Sequence, residues 1–286
     1  MSILKILGLA IVQGMTELLP VSSSAHVIVT EKLMGLDPAS PEMTLLLVML
    51  HTGTMLAVIF YFWRGWQENY FASRRLFWNF AQRVAVATIL TGILGLALKF
   101  LIEKFALKGV PHAEIEMIFG NLALVGIALG AVGLLIIFAG VYSERSQRPF
   151  RTGLQGSSLI GLIQGLCLPF RGFSRSGATI SMGLLLGITK GRVEEFSFAL
   201  AVVLTPLVIV REVWRLMKAQ SAASLPGKGI LPLFFPSLLG MVFSCIAGLL
   251  ALIWLSCWLE KGRWQFFGFY CLCASAGVLW LYKIGF

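Results

Sequence analysis

Charge is scarce in this sequence: only 13% of its 286 residues are Asp, Glu, Lys or Arg, where an ordinary globular chain has about 25%. A water-exposed surface needs that missing charge, so a soluble globular domain is excluded. Cysteine occurs five times (Cys167, Cys245, Cys257, Cys271, Cys273), always inside or beside apolar segments. An odd count with no CxxC pair and no metal-ligand spacing argues against a disulfide framework and a thiolate metal site. Short alternating strands are absent too. The apolar runs are long and unbroken, which excludes a membrane barrel and leaves helices as the element that can satisfy its own backbone in lipid.

What the chain does have is apolar length. A spanning helix needs about 20 apolar residues, and stretches near 43–63, 82–102, 117–141, 196–217, 231–257 and 265–282 qualify. The net charge of +10 does not indicate nucleic acid, because Lys and Arg sit between these stretches, as the positive-inside rule produces. Lys5, the apolar run Ile6 to Val12 and the small residues Ser22 to Ala25 imitate a signal peptide. Gln13, Glu17 and Pro20 interrupt that run, so the segment is expected to stay as mature structure.

A repeat organises the chain into one membrane domain, 1–286, with halves 1–150 and 151–286. Ile11-Val12-Gln13-Gly14 leads into Pro20 and Ser22-Ser23-Ser24-Ala25-His26; Leu162-Ile163-Gln164-Gly165 leads into Pro169 and Ser174-Arg175-Ser176-Gly177-Ala178. Each half reads as a broken apolar segment followed by three spanning helices. Broken backbone at membrane depth must be buried in protein or line a wet cavity, so two re-entrant helical hairpins are expected, around 3–36 and 157–190. Three crossings per half is an odd number, which inverts the second half relative to the first. The expected fold is therefore an all-α integral membrane protein with six transmembrane helices and two re-entrant hairpins in an inverted-topology repeat, its site near the repeat interface.

Loop charge suggests the orientation. Arg64, Arg74, Arg75, Arg83, Arg145, Arg148, Arg151, Lys190, Arg192, Lys261 and Arg263 fall on one set of loops, expected to be cytoplasmic. Lys104, Lys108, Arg211, Arg215, Lys218 and Lys228 fall on the other set and weaken the contrast. The first hairpin then opens to the outside.

Ionisable groups inside apolar segments cost roughly 2.5–3.5 kcal/mol on insertion scales, and are candidates for function. Glu17 is such a group, His26 follows the first break, and Arg171 and Arg175 flank Phe173-Ser174 at the second. Together with the hydroxyls they make a phosphate site chemically sensible, since a guanidinium fork suits phosphate oxygens. A serine or water would attack phosphorus with His26 carrying the proton, and Glu17 would hold a divalent cation or act as a base. Gly and Ser at helix breaks also serve close packing alone. His51 reads equally as a buried, satisfied histidine or a site residue. His112 is expected to be solvated, Lys99 to snorkel, and Glu194 and Glu195 to favour a helix start.

Gln13-Gly14-Met15-Thr16-Glu17-Leu18-Leu19-Pro20-Val21-Ser22-Ser23-Ser24-Ala25-His26 resembles the first signature of the undecaprenyl-diphosphate phosphatase family linked to bacitracin resistance, and Gly172-Phe173-Ser174-Arg175-Ser176-Gly177-Ala178-Thr179 resembles its second. The resemblance covers nearly the whole chain. It implies hydrolysis of undecaprenyl diphosphate at the outer face of the bacterial inner membrane, with a divalent cation, Mg2+ or Ca2+. The implied catalytic residues are Glu17, Ser23 (proposed nucleophile), His26 and Arg175. The implied substrate contacts are Ser22, Ser174, Ser176, Gly177 and Thr179, and the implied metal donors are Glu17 and Gln13; Arg171, outside the family pattern, either adds a phosphate contact or only reshapes the loop. Two positions depart from the pattern: Gln13 stands where many members have glutamate, and Pro169-Phe170-Arg171-Gly172 replaces a Pro-Gly placed directly before the Ser-Arg-Ser run. The expected partners are a polyprenyl diphosphate and membrane lipids, with a homodimer left open and no nucleic acid. The rival reading is a transporter for undecaprenyl phosphate or a related anionic lipid, which would need Arg175 but has less need of serine, histidine and glutamate together.

Overall fold

The computed structural model describes residues 2–37, 40–106, 121–145, 153–222 and 231–285. His112, Lys108, Arg148, Arg151 and Lys228 lie outside them, and Arg145, Arg211, Arg215 and Lys218 are described in their backbone alone. Helices are the regular structure of the described residues, with no strand among them. In chain order the helices are α1 (Ile3–Leu18), α2 (Ser23–Leu33), α3 (Pro41–Asn69), α4 (Arg74–Leu101), α5 (Leu122–Arg145), α6 (Leu154–Cys167), α7 (Arg175–Leu185), α8 (Lys190–Ala222), α9 (Leu231–Glu260) and α10 (Trp264–Lys283). A π-helical turn, Ile102–Ala106, extends α4.

Six of these, α3, α4, α5, α8, α9 and α10, are long and apolar enough to cross a membrane. All six fall on the expected stretches, but the helices overrun the hydropathy limits. The segment 64–81, expected to be mostly loop, shrinks to the link 70–73 between α3 and α4. Hydropathy ends where the lipid ends, whereas helical hydrogen bonding continues into the polar zone, where Arg64 and Glu68 pair across one turn at 2.9 Å. Glu194 and Glu195 also depart from expectation. Neither caps α8: Glu194 is buried and accepts the Ser256 hydroxyl at 2.6 Å, and Glu195 accepts the Asn69 amide at 2.9 Å. Lys99 pairs with Glu103 at 3.7 Å beside the π-helical turn.

The two broken segments are α1–α2 and α6–α7. Each packs on the other half of the chain: α1 lies against α9, and α6 against α4, while α5 pairs with α10 and α3 with α8 and α9. Lipid gives no hydrophobic drive between helices, so close backbone approach and interhelical hydrogen bonds must hold them. Small residues supply the approach. A Cβ on Gly14 would lie 2.6 Å from Ala247 Cβ of α9, and one on Gly165 would lie 2.9 Å from the Thr91 carbonyl of α4. Buried hydroxyls supply the bonds: Ser244 donates to the Leu50 carbonyl at 3.0 Å, Ser275 to the Gly126 carbonyl at 2.6 Å, and Thr91 accepts the Gln164 amide at 3.1 Å.

One end of the molecule gathers the cations. Asn69 of α3 meets Glu195 of α8, and Lys190 donates to the Glu260 carbonyl of α9. This brings Arg64, Arg74, Arg75, Lys190, Arg192, Lys261 and Arg263 to a common end.

Replacing Gly14 by Val should push α1 off α9 and cost about 1–3 kcal/mol, the range for overpacking a tight core. Thermal melting of the detergent-purified variant beside Gly14→Ala, which should sit between Val and the parent, checks this.

Candidate active site

The first break runs through Leu19, Pro20, Val21 and Ser22. Its freed carbonyls are taken up by protein: Ser176 of α7 donates to the Leu19 oxygen at 3.3 Å and Cys271 of α10 to the Pro20 oxygen at 3.3 Å. Ser22 sits at φ +66°, a conformation non-glycine residues rarely adopt, and from there the chain turns directly into α2. The second break ends on Gly172, at φ +103° and pressed against the Val125 carbonyl of α5, where a side chain has no room. Ser174 then caps α7, accepting the Gly177 N–H at 3.2 Å.

These turns bring the N-termini of α2 and α7 to one carboxylate. Ser23 donates to Glu17 Oε2 at 2.6 Å, and Gln13, one turn back on α1, donates to the same oxygen at 3.2 Å. Arg175, the first residue of α7, reaches Glu17 Oε1 at 3.4 Å. The Glu17 and Arg175 side chains are 18% and 22% exposed, so the pair is neither sealed off nor freely hydrated, and an incoming anion can reach the guanidinium. Helix N-termini with an arginine form a natural anion cradle.

His51 of α3 joins this centre. Its Nδ1 lies 2.8 Å from the Leu47 carbonyl, which can only accept, so Nδ1 carries the proton. Its Nε2 faces Glu17 Oε2 at 4.0 Å. By helix rise, His51 stands about 12 Å into the span from Met43. His26 is placed differently. Its Nδ1 donates to the Ser22 carbonyl at 2.8 Å, and its Nε2 accepts the Tyr270 hydroxyl at 2.7 Å with the two rings stacked. Both of its nitrogens are therefore occupied, and neither contacts Ser23 or Glu17.

The remaining sequence candidates divide. Ser22 and Ser24 hydroxyls lie 3.5 Å apart at the break. Ser174, Ser176, Gly177 and Thr179 are buried. Ser174 and Ser176 lie 3.4 Å apart, and Thr179 shares a 2.6 Å bond with Ser197 of α8. These groups build the loop that aims Arg175, and their own hydroxyls are largely spent on protein. Arg171 is exposed and lies near enough to the buried Glu31 of α2 for their charges to interact. Sequence reasoning left His51 undecided and missed Tyr270. The Thr52-Gly53-Thr54 run beside His51 was its signal, whereas a lone tyrosine in α10 carries none.

The donors around Glu17 are a carboxylate, an amide and a hydroxyl, and among the described residues no three His, Cys, Asp or Glu side chains cluster to hold an ion alone. This oxygen set fits a hard divalent cation shared with phosphate oxygens, and does not fit a closed zinc-type site.

With this geometry in hand, comparison with known proteins is decisive on ancestry. The family model described as "Bacitracin resistance protein BacA" matches residues 6–277. The chain belongs to that family. Among family relatives, "Undecaprenyl-diphosphatase 2" of Acinetobacter baylyi is 55% identical over 282 residues, covering 98% of each chain. "Undecaprenyl-diphosphatase 2" of Burkholderia ambifaria is 33% identical, covering 96% of this chain and 95% of the relative. "Undecaprenyl-diphosphatase" of Thermus thermophilus is 33% identical, covering 94% and 93%. The family match spans both breaks, so Glu17 and Arg175 both lie inside it.

Ser174→Ala should remove the cap from the helix that carries Arg175. A stability loss of about 1 kcal/mol is expected, read as lower thermal melting, with Ser174→Asp restoring most of it.

Proposed function

We propose that the chain is an undecaprenyl-diphosphate phosphatase, hydrolysing undecaprenyl diphosphate to undecaprenyl phosphate and phosphate and so recycling the envelope lipid carrier. The observation that carries this reading is the 2.6 Å bond from Ser23 to Glu17, with Arg175 on the other carboxylate oxygen. A hydroxyl bonded to a carboxylate base is an activated nucleophile, and a guanidinium beside it neutralises phosphate. A lipid carrier has use for the guanidinium and none for the activated hydroxyl.

In this mechanism the diphosphate settles at the N-termini of α2 and α7, its terminal phosphate on Arg175. Glu17 takes the Ser23 proton as Oγ bonds to the terminal phosphorus. The bond to the bridging oxygen breaks, and undecaprenyl phosphate leaves with the electron pair. Water then attacks the phosphoserine, phosphate leaves as the Ser23 oxygen takes back the proton held on Glu17, and His51, 4.0 Å from Glu17, is placed to take the proton of the water. His26, fixed by Tyr270 and Ser22, holds the start of α2 in place. A divalent cation, Mg2+ or Ca2+, shared by Glu17 and Gln13 with the phosphate oxygens, would neutralise pyrophosphate charge.

Several features support an inverted repeat of halves 1–150 and 151–286 with re-entrant hairpins. The α1–α9 and α6–α4 pairings exchange equivalent helices between halves, and Gln13 and Gln164 are equivalently buried. The first break touches α10 and the second touches its counterpart α5. The cation-rich end is assigned to the cytoplasm of a bacterial inner membrane, so Glu17 faces the outer side. Glu17, Ser23 and Arg175 all come from one chain, so the chemistry requires no homodimer.

Phosphate release from undecaprenyl diphosphate by detergent-purified protein tests the reading. Ser23→Ala, Glu17→Ala and Arg175→Ala should each cost at least roughly a hundredfold in kcat/KM, as should His51→Gln, and a chelator should suppress the parent. Full hydrolysis by folded Ser23→Ala protein would remove serine as nucleophile. No release by folded parent protein with several cations would leave the transporter reading in its place.

A further inference from the structure

About 27 Å of helix separates His51 from Asn69 on α3, and at that far end a cavity of about 300 Å3 opens between α3, α4, α6 and α8. Its polar wall is made by Asn69, Tyr70, Asn79, Arg83, Ser157 and Arg192. Among the described residues no carboxylate lines it. Arg192 is steadied from behind, 5.3 Å over the Tyr70 ring and 3.9 Å from Glu195, whose other oxygen is taken by Asn69. Arg83 makes no ion pair among the described residues.

The helices add to this positive field. α4, α6 and α8 all begin at the cavity, and each presents the positive end of its dipole. Ser73 caps α4 by accepting the Leu76 N–H at 3.2 Å. α6 has no such cap: Gly153 stands at its N-cap position, offers no side-chain acceptor, and itself lines the cavity. Among the described residues, the first N–H groups of α6 thus have no intrahelical or side-chain acceptor, next to two guanidiniums and a hydroxyl. Two guanidiniums, a hydroxyl and backbone donors converging from three helices offer more donors than the two oxygens of a carboxylate can use, and suit the three or four oxygens of a phosphate.

We infer that this cavity is a second anion site, separate from the Glu17 centre, which binds a phosphate group through Arg83, Arg192, Asn79, Ser157 and the uncapped start of α6. Its volume is at the small end for ligand pockets and admits a phosphate or a headgroup rather than a whole lipid. The same chemistry would take inorganic phosphate or the phosphomonoester headgroup of a membrane lipid. The anion would bridge α4, α6 and α8, three helices that otherwise present like dipole ends to one another. None of this depends on what the Glu17 centre does.

Calorimetric titration of the full chain in detergent separates the two sites by stoichiometry. Inorganic phosphate is titrated first, then dioctanoyl phosphatidate, with dioctanoyl phosphatidylcholine as the diester control. Arg83→Gln should weaken one binding event about tenfold or more while leaving the event that Arg175→Ala removes, and Arg83→Lys should recover part of the loss. Binding of inorganic phosphate identifies free phosphate as the ligand; binding of phosphatidate alone identifies a headgroup. Asn79→Ala, an exposed position, should weaken the same event and carries the test if Arg83→Gln melts below the parent. The inference is overturned if Arg175→Ala protein binds neither ligand, or if folded Arg83→Gln or Asn79→Ala protein binds both with parental affinity.

Discussion

A carboxylate drawn into an apolar helix bundle has to be hydrogen-bonded, paired or neutralised, and Glu17 is met by groups from three separate elements. Ser23 comes from the helix after the first break, Arg175 from the helix after the second, and His51 from a spanning helix. The Glu17–Arg175 contact, with the Ser176–Leu19 bond, joins the two broken segments, whose first helices pack on opposite halves of the chain. Removing one member of such a pair leaves the other charge poorly compensated, so the pair stabilises the arrangement that it also uses.

Around that contact, the breaks survive because protein replaces water. Leu19 and Pro20 lose helical partners where the chain turns, and Ser176 and Cys271 provide donors. Gly172 turns at positive φ against α5 because a Cβ there would collide with the Val125 carbonyl. The glycines at 14 and 165 let α1 and α6 settle against α9 and α4 closely enough for those donors to reach. Fold and site therefore rest on the same small and hydroxylic residues. The second cavity, built from helix starts at the cation-rich end, uses related physics in a different place: unsatisfied N–H groups with arginine beside them.

Much of this was legible from residues alone. Lipid imposes a length and a composition on any spanning helix, so all six spans could be read from apolar runs. The breaks at Pro20 and Pro169 could be read because proline, glycine and serine mid-run are incompatible with a straight helix. Glu17 and Arg175 were legible because a charge in an apolar run requires a reason. The helix limits near Arg64 and Arg74 were not, since hydropathy marks the lipid boundary rather than the end of hydrogen bonding. Glu194 and Glu195 carried the pattern of helix-starting acids, yet they are engaged from α9 and α3 by Ser256 and Asn69.

The sequence by itself determined that the chain is a helical membrane protein, where its backbone must break, and which two charged residues stand at the breaks. Those follow from one-dimensional constraints: bilayer thickness, proline chemistry and the cost of charge in hydrocarbon. Only the tertiary structure decided that Glu17 meets Ser23 and Arg175 while His26 turns to Tyr270, and that His51 stands at the centre, 4.0 Å from Glu17. These depend on which helix faces arrive at the same point, 158 positions apart in the case of Glu17 and Arg175, and no local pattern encodes the rotation of one helix against another.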